Sequence, residues 1–267
     1  MKKIFNNADT LGVIRLEFQR IFTGWNFYAA VIVTTALVLY QTFSKNNYAG
    51  SVISGLVKMS ALSFICRLMT MSSAFPAASS YCDDCIGKYY NSIVNRSGIS
   101  SYINGKFISC FLSSFLVCFI SLILYTIIGS MLFINGIGTQ IKLYNEPNSI
   151  FYGMIKCSGL IYVIFHILIY SGTIAVFALY GLVISAYMTN RFVAVTAPLL
   201  SCILLDEITS YLPNFCSLFS FGKLSSKITD TPVKFIALYI AVMMVYIIIA
   251  KYLYTKRVRR KLGNEIV

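Results

Sequence analysis

Charge is what this chain has least of. Only 12% of its 267 residues are Asp, Glu, Lys or Arg, while 58% are hydrophobic, and soluble domains carry about twice that charged share. Together with a mean hydropathy of +0.76, this excludes a soluble globular domain and implies a polytopic membrane protein. At ~20 residues per span, six spans use most of the chain. The short loops that remain leave no space for a soluble catalytic domain of about 100 residues. Acids are scarcer still: nine against twenty-two lysines and arginines, a net charge of +13. In so apolar a chain that excess serves cytoplasmic loops and anionic headgroups of membrane lipids, not nucleic acid.

Other absences narrow the chemistry. There is one histidine, His166, inside an apolar run, and no paired acids occur within the spans. An intramembrane protease needs such a pair, a Ser-His set or a zinc motif, so no catalytic residue is assigned, and His166 reads as a packing residue. No nucleotide site is present either. In the one glycine-lysine stretch that invites the comparison, Gly98 and Gly105 are separated by six residues rather than four, and Phe107 stands where a Ser or Thr would hold magnesium. The chain is therefore expected not to be an enzyme and to take no cofactor. Cysteine is not scarce, at eight, but only Cys82 and Cys85 form a Cys-x-x-Cys pair. A structural zinc site wants four ligands, so no metal is expected, and the other cysteines read as small hydrophobes.

Along the chain, residues 9–22 place Leu11, Ile14, Phe18, Ile21 and Phe22 on one helical face, too short to span. They read either as an amphipathic helix in the headgroup plane or as an extension of the first span. Lys2 and Lys3 lack the apolar run of a cleaved signal peptide. Spans are expected at about 25–43, 53–80, 107–133 and 155–187. The next apolar run, 192–205, is short and contains Pro198; the last span is 232–254, followed by five cations. Segment 208–221 is mildly apolar and reads as a re-entrant or interfacial element needing protein or water around it. With both termini inside, fourteen cations fall on the cytoplasmic side and six outside (Lys45, Lys142, Lys156, Lys223, Lys227 and Lys234). The positive-inside rule selects that arrangement. Arg67, in the middle of a span, costs ~2.5–3.5 kcal/mol on insertion scales. It must line an aqueous substrate path, pair with Asp206 or Glu207, or bond to neighbouring carbonyls or tyrosines. Asp206 and Glu207 are candidates for the same path, or plain outer-interface residues.

The longest polar interruption on the cytoplasmic side is 81–106. It opens with Asp83-Asp84, continues through Tyr89-Tyr90-Asn91-Ser92-Ile93-Val94, turns at Arg96-Ser97-Gly98 and ends in Tyr102-x-x-x-Lys106. This pattern, with the six-span layout, resembles the type-2 permease family of bacterial ABC exporters. The resemblance covers the whole chain in layout but rests in detail on 81–107; tyrosines and Asn91 stand where basic residues often flank the hairpin helix.

The fold it implies is all-α: one permease domain over 1–267 with six transmembrane helices, an N-terminal interfacial helix, a cytoplasmic coupling hairpin and a re-entrant outer element before the last span. The function it implies is a permease subunit that dimerises, with itself or a sister chain, around a substrate path, in the bacterial cell membrane. Separate ABC ATPase subunits would dock on the hairpin through Asp84, Tyr89, Tyr90, Ile93 and Arg96, the two charges lying at the rim. A second reading is a non-transporting scaffold or bacteriocin-immunity protein. An adjacent ATPase gene distinguishes the two.

Overall fold

The computed structural model describes residues 7–43, 51–60, 64–87, 89–133, 136–137, 158–222 and 231–265. In chain order the helices are α1 (Asn7–Thr23), α2 (Trp25–Phe43), α3 (Val52–Ser60), α4 (Phe64–Ala74), α5 (Ser80–Ile86), α6 (Tyr89–Ser97) and α7 (Ile99–Leu132). They continue with α8 (Gly159–Tyr187), α9 (Arg191–Ser210), α10 (Leu218–Gly222) and α11 (Pro232–Glu265), with one 3-10 turn at Asn214–Cys216. No strand occurs among the described residues. Five helices, α2, α7, α8, α9 and α11, are long and apolar enough to cross a membrane, so the protein is membrane-embedded and multi-pass.

The bundle is built around α8. Of its most apolar stretch 83% is buried, against 17% for α11, so α8 is the axis and α11 a peripheral strut. Small residues allow close contact there: Ala74 and Ala78 meet Ala178, and a Cβ on Gly181 would lie 2.7 Å from the Pro198 ring of α9. Buried hydroxyls bond within their own helices, as Thr34 does to Ala30 O and Ser171 to Ile167 O. That satisfies them where no water is at hand.

Chain direction follows from the contacts at the two ends. At one, Phe43 stacks on Phe133 at 5.1 Å and the Val52 N–H donates to Gly136 O. At the other, α1, α5, the start of α7 and the last turns of α11 converge. Lys261 Nζ there lies 3.7 Å from Cys85 Sγ and 5.7 Å from the Tyr81 ring centre. The first and last helices thus finish at the same end of the bundle.

Three boundaries and one helix face differ from those the sequence suggests. Within the expected span 53–80 the helix ends at Ala74 and 75–79 is a run of turns around Pro76, which lacks the N–H a helix needs; residues 61–63, between α3 and α4, lie outside the described residues. Helix α7 starts at Ile99, not at 107, so the hairpin ends at Gly98, whose φ of 81° and ψ of 153° suit glycine alone. Helix α9 runs on through Asp206 and Glu207 to Ser210, and the segment 208–221 is therefore a helix end, the 3-10 turn and most of α10. Lastly, α1 turns Val13, Glu17 and Ile21 inward and leaves Leu11 exposed. The stretches 44–50 and 138–157, expected as outer loops or span entry, lie outside the described residues.

Candidate functional site

Three helices bring ionised side chains to one point. Glu17 and Arg20 sit one turn apart on α1, Asp83 and Asp84 on α5, and Tyr102 and Lys106 one turn apart on α7. Asp84 is at the centre. Its Oδ1 accepts from Arg20 Nη1 at 2.8 Å, and its Oδ2 accepts from Tyr102 Oη at 2.9 Å and pairs with Lys106 Nζ at 2.7 Å. Lys106 Nζ also lies 2.9 Å from Glu17 Oε1 and donates to Ser80 O at 3.2 Å. Asp83 faces outward to Arg20 at 3.9 Å and to Arg191 Nε, at the start of α9, at 2.5 Å. The side chains of Asp84 and Lys106 have no exposure at all.

Burial by itself would push the Asp84 carboxyl up. The Lys106 charge, with hydrogen bonds from Lys106, Arg20 and Tyr102, outweighs burial and holds it below the usual carboxylate range. Two residues earlier, burial pushes the Cys82 thiol up to about 11, helped by Cys85 and Asp83. Cys82 Sγ donates weakly to Ser185 O and Met188 O at the end of α8. It is a buried structural contact.

From this locked base α6 projects. Tyr89 is 64% exposed, Ile86 at the end of α5 is 58% exposed, and Arg96 is exposed. Ile93 packs instead against the core beneath, next to buried Val94. The Tyr90 side chain lies outside the described residues. A cleft of about 270 Å³ separates α6 from α1, lined by Gly12, Val13 and Leu16 on one side and Ser92, Ile93, Arg96 and Ser97 on the other.

The hairpin residues expected to face a partner therefore divide. Tyr89 and Arg96 are outward. Asp84 is not at a rim: its carboxylate is fully enclosed because it neutralises Lys106, the one cation buried with it. Reading the stretch as a docking hairpin left Glu17, Arg20 and Arg191 out of the site. The available signal was Glu17, an acid four residues from Val13 and from Ile21, on the stripe that turns inward.

The candidate path residues lie elsewhere. Arg67 Nη2 donates to Asp206 Oδ2 at 2.8 Å, joining α4 to α9, and Glu207 is exposed. Of the roles open to Arg67, the pairing with Asp206 is the one formed. Neither residue lines the apolar cavity of about 460 Å³ between α2, α4 and α9, whose walls include Ala30, Val33, Leu68, Met71, Phe75 and Val195. His166 is buried in α8 between Tyr162 and Tyr170, each ring centre 6.1 Å away, and neither ring nitrogen has a hydrogen-bond partner. Lys106 and Gly105 are helical in α7, and the glycine sits against Val13 of α1; no phosphate loop forms there. Among the described residues no group of three metal-ligating side chains occurs. The chain matches no protein-family model, no curated protein and no solved structure.

Proposed function

We propose that this chain is the membrane-spanning permease subunit of an ATP-driven ABC exporter, working as a dimer with separate ATPase subunits. The observation that carries the reading is the short helix α6, exposed at its tip and held at its base by a buried ion cluster. That cluster ties α5, which leads into α6, to α1 and to the long helix α7. Such an element suits force transmission. A partner gripping Tyr89 and Ile86 moves α7 directly, because Asp84 and Lys106 cannot separate without leaving charges unpaired in a dry site.

In this reading the second crossing consists of α3 and α4 together. The six crossings are then α2, α3–α4, α7, α8, α9 and α11, with both termini cytoplasmic on the cation-rich side, in a bacterial cell membrane. The turn at Asn214–Cys216 and α10 form the outer element before the last crossing. The apolar cavity beside α4 offers the path an apolar wall, and the Arg67–Asp206 pair braces the helices around it. ATP is hydrolysed by the partner subunit.

The test is co-purification with a candidate ABC ATPase subunit, and ATP hydrolysis in liposomes. Truncating an exposed interface anchor costs ~2 kcal/mol or more. Ile86→Ala with Tyr89→Ala should therefore abolish both binding and stimulation while the permease remains inserted. Normal co-purification of that variant overturns the reading.

A further inference from the structure

The last helix carries a surface the exporter reading does not use. On α11, Val245, Ile248 and Ile249 are exposed, Tyr252 follows one turn on, and Lys256, Arg259 and Arg260 are exposed beyond it. At 100° per residue these seven positions fall within an arc of about 120°. The opposite face is occupied by the protein: Tyr254 and Val258 are fully buried, Arg257 lies over the Tyr187 ring at 5.0 Å, and Lys261 meets Cys85. One helix edge thus reads apolar, aromatic, cationic in order. The order is metrically right for a bilayer. From Pro232 to Tyr252 the helix rises about 30 Å, the hydrocarbon thickness, which sets Tyr252 at the boundary and the three cations about 6–12 Å beyond it. Lys256 Nζ lies 5.8 Å from the Tyr252 ring centre, and none of the three cations meets a carboxylate among the described residues.

We infer that this edge of α11 is a binding site for an anionic glycerophospholipid. The acyl chains lie along Val245, Ile248 and Ile249, Tyr252 sits at the glycerol level, and Lys256, Arg259 and Arg260 hold the phosphate and anionic headgroup. The charge complementarity of three unpaired cations at headgroup depth selects this occupant over a neutral lipid. The helix's low burial leaves the edge open to it.

Trp25 is the only tryptophan, so Trp25→Phe with Tyr252→Trp gives a single reporter at the site in the full chain. In mixed vesicles, brominated phosphatidylglycerol should quench it well before brominated phosphatidylcholine does. Lys256→Gln, Arg259→Gln and Arg260→Gln together should weaken that preference about a hundredfold, at roughly fivefold per cation. The charge-keeping control Lys256→Arg, Arg259→Lys and Arg260→Lys should retain it, which separates loss of charge from loss of fold. Equal quenching by both lipids overturns the inference. Absence of quenching by either overturns it too, since a second copy or another protein then covers the edge. Displacement by inorganic phosphate would make the site one for a free anion instead. None of these outcomes depends on whether an ATPase binds at α6.

Discussion

Replacing Lys106 by Met tests the ion cluster directly. The ammonium lies 2.7 Å from Asp84 and 2.9 Å from Glu17, with no exposed surface on itself or Asp84. At an effective dielectric of about 20, each contact is worth about 6 kcal/mol of Coulomb attraction, most of it offset by the cost of burying the charges. Removing the cation alone leaves that cost in place. Asp84 keeps Arg20 and Tyr102, but Glu17 Oε1 loses its ion partner and Oε2 already has none. The expected loss is ~3–5 kcal/mol, read as a shift of the unfolding curve in SDS titrations of the purified protein. Neutralising the whole set, Lys106→Met with Asp84→Asn and Glu17→Gln, should recover most of it, because the buried carboxylates disappear together with their cation. A Lys106→Met protein as stable as the parent, or a triple variant worse than the single one, would refute the argument.

The same cluster fixes a pH response. The Asp84 carboxyl is held below its ordinary value in the folded protein. Its contribution is therefore fully present above an unfolded value of about 3.9 and is lost as pH falls from there through the folded value. Between about pH 5 and 8, stability should not move on its account.

Three further outcomes are expected. Arg67→Ala and Asp206→Ala should show a coupling of about 1.5–3 kcal/mol in a double-mutant cycle on stability; additive effects would mean that the 2.8 Å pair is not formed. Gly98→Ala should cost about 1–3 kcal/mol from backbone strain alone, since no atom lies within 4 Å of the added methyl; a neutral result in unfolding titrations would contradict the φ of 81°. Maleimide at pH 8 should label Cys85 and spare Cys82, because Cys82 is fully buried and its thiol is pushed up to about 11; equal labelling by mass spectrometry would contradict that environment.

Much of the helical layout was legible because long apolar runs admit few alternatives. The start and end of α2 and the break between Tyr187 and Arg191 fall where hydropathy and polar residues put them. The glycine turn at 98 was legible too, since Arg96-Ser97-Gly98 carries its own punctuation. What composition hid was the start of α7. Ser100, Ser101, Tyr102, Asn104 and Lys106 look like loop residues, yet Ser101, Tyr102 and Lys106 are buried in a helix. Hydropathy scores a residue without its partner, and these partners lie on α1 and α5, up to 89 positions away for Glu17 and Lys106. The same blindness placed Asp84 at a surface and Glu17 away from the inner face of α1.

The shortage of acids makes that placement significant. Of the nine in the chain, Glu17, Asp83, Asp84 and Asp206 are held in ion pairs within it. Three of these four meet at the base of α6. A membrane helix bundle needs no such charges to stay folded, since apolar packing and satisfied backbone suffice, and each buried charge brings a desolvation cost. What ion pairs add to packing is direction and register: Lys106 accepts one placement of α1 and one of α5, whereas leucines would accept several. In the exporter reading, slack between α5 and α7 would be movement lost between the exposed tip and the membrane. The neutralised triple variant tests that role. It should fold and insert, and it should bind an ATPase through Ile86 and Tyr89, yet fail to convert hydrolysis into transport. If transport survives in it unchanged, the cluster serves assembly alone, and the motion must enter the bundle by another route.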